Sequence, residues 1–318
     1  MSNENYEARI AKLEKALSDN IGATVNYPDS MQVEYSDVIK SKVGEVAPYY
    51  RFLETKGCVQ STPDPIVGFY VEQYNNTADF IEELGDLPEH KAGKYTEQLR
   101  RMSTIATGIE VSYMSEMGNN VIDYLKRQIQ NGYIDITNKL DKTLLSGSGD
   151  QTKSTPDLDF PGFSTAVTTN VVDNSGNKIT ENIINNLIDT VTDTYKGRPD
   201  CIVTNYTVVR QLRDIIKDYY RFNDKVDVGI GFRVNTFEAE NGQQLPILVD
   251  PNLADNSLFL VDSSTIEIKQ MMAPTLFTDL PTSKLTYKQA IATFITAQNI
   301  AEFQNGIIKN IGTTTPSG

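Results

Sequence analysis

The chain has 318 residues, 39% of them apolar and 22% charged, with a formal net charge of −13. That length allows about two domains with cores of their own, and no apolar run is long enough for a membrane-spanning helix. The acidic balance argues against a protein whose main task is gripping duplex DNA, which needs clustered Lys and Arg to displace counterions, although it is compatible with a wall around DNA.

The N-terminus, MSNENYEARIAKLEKALSDN, is charged throughout and has no signal-peptide core, so the chain is expected to begin in the cytoplasm. Tyr6, Ile10, Leu13 and Leu17 fall at helical spacing and predict a short amphipathic helix over 4–19. Its narrow apolar stripe suits either docking on its own domain or an arm laid on a neighbouring subunit. Residues 21–48 are irregular and read as an extended arm, and a strand region over 58–71 follows, interrupted by Pro63 and Pro65.

Residues 72–101 are long, polar and bracketed by opposite charges. Folding back as a β-hairpin would set Glu82 against Arg101 and Glu83 against Arg100, a register that cross-strand charge attraction favours. Gly85, Pro88, Gly93 and the charged Glu89, Lys91 and Lys94 between them make a poor core. The segment is therefore either a projecting loop that docks on a partner or a surface excursion.

The clearest helix is 119–145, where Ile122, Leu125, Ile129, Tyr133, Ile136, Leu140 and Leu144 recur at steps of three and four and share one face. At 1.5 Å per residue it would be roughly 40 Å long. Gly132 is a weak point inside it, costing about 1 kcal/mol relative to alanine in an exposed helix. A Gly/Ser/Thr/Pro-rich linker, SGSGDQTKSTPDLDFPGFSTA, then marks a boundary. Beyond it an α+β unit is predicted, with Thr180 capping a helix that runs through Tyr195, a strand from Cys201 to Thr204, a helix from Thr207 to Tyr219, and strands over Arg233–Phe237 and Leu245–Val249.

The last part, 258–311, reads as strands without catalytic chemistry. Leu258–Val261 is a short apolar run, Ile266 and Ile268 alternate, and Tyr287, Ile291 and Ile295 share a period-two face. Asn305-Gly306, between Phe303 and Ile307-Ile308, predicts a closing hairpin because both residues tolerate positive φ.

Chemical motifs are sparse. Cys58 and Cys201 are too far apart in sequence for a metal spacing and read as two unpaired thiols, with a bridge as the alternative. His90 is the only histidine and lies in a polar tract. Gly229-Ile-Gly231 lacks the third glycine of a dinucleotide fingerprint, because Val234 occupies that position. Ser146–Asp150 is Gly-rich but sits at a helix exit, where the dipole repels phosphate. Asp157 with Asp159, or Asp189 with Asp193, could supply carboxylate pairs for a metal-dependent or acid/base hydrolase, though solvation at the surface explains each. No catalytic, cofactor-binding or metal-binding residue is assigned and no cofactor is expected.

The order of a Val-Asp-ended strand, Ser-Thr-Ile-Glu-Ile, a loop, a Lys/Tyr-bearing strand and Asn-Gly resembles the C-terminal part of tailed-phage major capsid proteins. With the arm, the polar hairpin, the long helix and the linker, the whole chain after about residue 45 is similar to the Hong Kong 97 fold. The resemblance implies an N-terminal arm over 1–47 and a peripheral domain over 48–71 and 102–150, the latter carrying a spine helix over 119–145. It further implies an extended E-loop over 72–101, an axial domain over 151–281, and a return to the peripheral domain over 282–318. It implies a non-enzymatic major capsid protein that self-assembles into hexamers and pentamers of an icosahedral head enclosing double-stranded DNA, located in the virion and assembled in the host cytoplasm. An encapsulin-like nanocompartment shell holding enzyme cargo is the alternative within the fold. The assembly residues implied are Glu82, Glu83, Lys91, Lys94, Arg100 and Arg101 of the E-loop. Some members weld subunits by a Lys–Asn isopeptide bond; Lys91 and Lys94 lie in the matching loop, but no Asn partner follows from the pattern, and the bond is not carried over. Only about 45 residues precede the first domain strands, short of the large scaffolding segment of some members, so scaffolding, if needed, is expected from a separate protein; portal and decoration proteins are the other partners the resemblance implies, with no membrane partner.

Overall fold

Two sheets share one layer of apolar side chains, and the chain crosses between them three times. The computed structural model describes residues 47–73, 80–81, 94–117, 124–149, 157–217, 225–227, 233–253, 256–278 and 280–312. In chain order these form α1 (Pro48–Thr55), β1 (Val59–Ser61), β2 (Ile66–Gln73), β3 (Lys94–Arg101), β4 (Ser103–Ser112), α2 (Tyr113–Met117), α3 (Tyr124–Ser146) and α4 (Phe163–Ala166). There follow β5 (Val171–Asp173), α5 (Glu181–Asp189) continued by a π turn over Thr190–Thr194, β6 (Cys201–Thr204), α6 (Tyr206–Lys217), β7 (Lys225–Asp227), β8 (Arg233–Glu238) and β9 (Gln244–Val249). The last elements are β10 (Leu258–Val261), β11 (Ile266–Phe277), β12 (Thr286–Asn299) and β13 (Gly306–Lys309). The helix expected over 4–19 lies outside the described residues.

The first sheet has four strands in the order β1-β11-β12-β4, and the second has seven in the order β5-β13-β10-β6-β9-β8-β7. The second is buried on both faces: Val203, Leu248, Phe259, Val261 and Ile307 meet the first sheet's core, while Ile202, Ile247, Leu258, Leu260 and Ile308 pack on α5 and α6. This explains why 201–204 and 258–261 are unbroken apolar runs, since a strand covered on both sides has no polar face to show. On β12, by contrast, Gln289, Ile291 and Thr293 are buried while their neighbours are only half-buried or exposed, the alternation of a strand covered mainly on one side, before all of Ile295–Gln298 is buried.

Helix α3 lies on the four-stranded sheet, with Ile136 against Ile109, Val111 and Ile291. Leu140 and Leu144 reach the shared core, but Tyr133, expected on the same stripe, is 37% exposed. Gly132 is not the exposed weak point expected. A Cβ there would sit 2.9 Å from Ile291 Cδ1 and 3.1 Å from Thr107 Cγ2, so the missing side chain lets helix and sheet approach. Gly147 and Gly162 do the same where the expected linker folds back. A Cβ on Gly162 would lie 2.4 Å from both Gly147 N and Thr143 O, and Phe160 and Phe163 beyond it are core residues. Thr180 precedes α5 in extended conformation, but its side chain makes no capping bond.

The sheets divide the C-terminal part differently from the 281/282 boundary expected. β11 joins the four-stranded sheet at Ile266 by pairing with β1 and β12, and β13 returns to the seven-stranded sheet between β10 and β5. The switch is therefore at 262–265, where Asp262 accepts from Ser264 N and Arg198 N and turns the chain out of β10. Asn305-Gly306 is not a hairpin turn. Asn305 is extended at φ −114°, ψ 164°, and Gly306 is required by the side chain of Leu187, whose Cδ1 would lie 2.8 Å from a Cβ there.

One asparagine joins the last two of these crossings. Asn305, with no exposed surface, accepts from Asp262 N at 2.8 Å and donates to Thr265 Oγ1 at 2.8 Å. Its side chain thus fixes the outgoing 262–265 turn to the incoming 300–306 segment.

Candidate assembly surface

Strands β2 and β3 pair only with each other, Ile66 opposite Arg101 and Gln73 opposite Lys94. A two-stranded ribbon is at best marginal alone, so each face needs cover. One face has it: Phe69 and Val71 of β2, with Gln98 and Arg100 of β3, line a cavity of about 340 Å³ against Ala297–Phe303 and Thr165–Thr168. Phe69 is buried there, and Met102 N donates to Pro65 O at 3.0 Å at the root of the ribbon.

The opposite face has no cover among the described residues. Ile66, Tyr70, Tyr95 and Leu99 are 48%, 66%, 63% and 55% exposed, and the register places all four on one side. Leu99 lies across Gly68, where a Cβ would come within 2.7 Å of Leu99 Cδ2, so the glycine flattens the stripe. Tyr95 donates to Glu72 Oε1 at 2.8 Å and Tyr70 to Glu97 Oε1 at 3.4 Å, and these cross-strand bonds hold the rings over the ribbon. The bond to Glu72 raises the Tyr95 phenol's pKa above its ordinary value.

The six residues singled out from charge fare unequally. Glu82, Glu83 and Lys91 lie outside the described residues. Arg100 and Arg101 are opposite Val67 and Ile66 in the strand register, not opposite Glu83 and Glu82 as expected. Exposed ion pairs contribute only about 0 to 1 kcal/mol, too little to set a register against burial of Phe69. Arg100 turns to the covered face and donates to Gln98 Oε1 at 3.1 Å, while Arg101 and Lys94 are exposed at opposite ends of β3. The apolar stripe was missed, although the period-two run Ile66-Val-Gly-Phe-Tyr-Val-Glu72 was its signal.

The other motifs supply no chemistry. Cys58 and Cys201 are buried free thiols, both pushed up in pKa, first by burial. His90, Gly229 and Gly231 lie outside the described residues. Asp189 and Asp193 are exposed and Asp157 and Asp159 half-buried, and no group of three or more His, Cys, Asp or Glu among the described residues could hold a metal ion.

A family description, SU10 major capsid protein, matches residues 23–312. None of the curated proteins matches the chain in sequence. Among solved structures it is similar to the capsid of a native GTA particle, with a TM-score of 0.65 at 11% identity over 88% of this chain and 95% of that one. A chain of Mycobacterium phage Bobi gives 0.63 at 12% identity, again over 88% and 95%. The holo-SrpI encapsulin complex of Synechococcus elongatus gives 0.60 at 10% over 87% and 95%.

Proposed function

The chain belongs to the SU10 major capsid protein family, and from that premise we propose that it builds an icosahedral head of hexamers and pentamers around double-stranded DNA. It is a structural capsid protein of the Hong Kong 97-like fold, found in the virion capsid, and it self-assembles. The fold is common to phage heads and the encapsulin; the family match favours the phage head. We assign the E-loop role to the β2–β3 ribbon and the segment it carries, the axial role to the seven-stranded sheet with α5 and α6, and the peripheral role to the four-stranded sheet with α3. Residues 1–47 serve as the arm. Assembly takes place in the host cytoplasm with a separate scaffolding protein, and portal and decoration proteins complete the head.

The observation that carries this reading is the exposed stripe of Ile66, Tyr70, Tyr95 and Leu99 on a ribbon covered on one side only. An apolar face of this kind loses free energy in water and gains it against a second subunit. Lys94 and Arg101, exposed at the two ends of β3, flank that contact, and the charges of Glu82, Glu83 and Lys91 are assigned to the same assembly role, in which charge selects the docking register more than it adds affinity. The double variant Tyr70→Ser/Leu99→Ser tests it. Both side chains point outward, so subunit stability should change by about 0.5 kcal/mol or less per site, while the yield of closed particles in electron microscopy falls at least about tenfold. Particles at the wild-type yield would contradict the docking role.

A further inference from the structure

We propose that Asp141 and Asp250 form a one-proton latch that holds α1 against α3 and the end of β9, and that its hold on α1 weakens as the pH rises. This stands apart from the capsid reading.

Both carboxyl groups have no exposed surface, an exceptional position for two acids. Asp141, on α3, accepts from Tyr50 N at 2.8 Å and from Asn252 Nδ2 at 2.8 Å. Asp250, just after β9, accepts from Tyr49 N at 3.2 Å and from Asn252 N at 2.8 Å. Asn252 thus spans the two acids, its backbone N–H on Asp250 and its side-chain amide on Asp141, and two carboxyl groups sharing one site out of water resist both being ionised, so one proton stays with the pair. Two consecutive amides at the start of α1 thus end on two acids from different parts of the fold. Those amides have no partner within their own helix, so the pair acts as the cap that Ala47 cannot supply.

Every other donor to the pair is neutral, and no described cation is paired with either acid. Tyr49, whose amide donates to Asp250, is the titratable side chain next to the pair, and the groups acting on that tyrosine are Asp141, Cys201 on β6, Cys58 after α1, and Asp200, which is itself paired with Lys56 at 3.2 Å. Tyr49 is held well above its ordinary value by burial, Cys201 likewise, and Cys58 is pushed up to about 11. None of these three titrates near neutrality. Asp141 does: burial and the neighbouring Asp250 push it up to about 8. Burial also raises Asp250. An acid raised on folding stabilises fully below its unfolded value near 4, and the contribution is lost as the pH climbs to the folded value.

The test is amide hydrogen exchange of the full-length chain as unassembled subunits, read by mass spectrometry over the peptide containing Tyr49 and Tyr50. After correction for intrinsic exchange, wild-type protection should fall by up to about tenfold per pH unit between pH 6 and 8 and level off above. Asp141→Asn needs no proton to bridge Asp250 and should hold its protection within about twofold across the same range. A flat wild-type profile, or an equal fall in Asp141→Asn, would overturn the latch. Asp250→Asn serves if the first variant does not fold. In the wild type, the infrared carbonyl band of a protonated carboxyl at pH 7 that vanishes by pH 9 is the independent requirement, and its absence also overturns it.

Discussion

Asn305 shows how a side chain can matter more than the backbone conformation its residue type suggests. Asn-Gly is a strong turn signal, yet the amide is consumed by Asp262 N and Thr265 Oγ1, and the glycine by Leu187. Nothing local in the sequence announces those partners, which are some forty residues away or, for Leu187, more than a hundred. Asn305→Ala would strand two buried polar groups, and urea denaturation should show a loss of roughly 2 to 4 kcal/mol. Gly162→Ala forces a methyl group onto backbone atoms that cannot swing aside and should cost about 2 to 4 kcal/mol in the same assay. The cysteines give a reactivity prediction. Both are buried thiols with raised pKa, so at pH 8 neither is a thiolate, and a thiol reagent should modify them only as fast as the chain opens. Rapid labelling of either in the folded subunit would contradict their burial.

At the scale of elements, what periodicity dictates was readable and what depends on distant cover was not. The long helix, the 201–204 and 258–261 strands and the helices after 180 follow from apolar spacing alone, because burial on one face or two writes itself into the pattern. The β2–β3 ribbon was foreseen as a hairpin, but its register was taken from surface charge, the weakest available force, and the Phe69 and Val71 face governs instead. The position of β11 was equally hidden: a strand of Ile-Glu-Ile type fits either sheet, and only its pairing with β1 and β12 assigns it. The ribbon carries a prediction of its own. Phe69→Ala removes the covered anchor and should lower thermal stability, by about 3 kcal/mol or somewhat less for so peripheral a site, whereas the outward Tyr70→Ser should leave it unchanged.

For the molecule as a whole, the absence of a catalytic constellation in the sequence matches a building block whose function resides in its surfaces. The two sheets are not beads on a linker. They share a core containing Leu144, Phe163, Phe259, Ile268 and Ile307, and the paired crossings at 262–265 and 300–306 make the 258–311 segment the bond between them. The Asp141–Asp250 pair holds Tyr49 and Tyr50, two residues of this same shared core, and was invisible in the sequence, since the two acids are 109 positions apart and each looks like a surface charge. Self-assembly is the central claim, and sedimentation velocity of the purified full-length chain over a range of concentrations tests it most directly. The account predicts capsomers or megadalton shells that closed-particle images in electron microscopy match; a single monomer boundary at every concentration would contradict it.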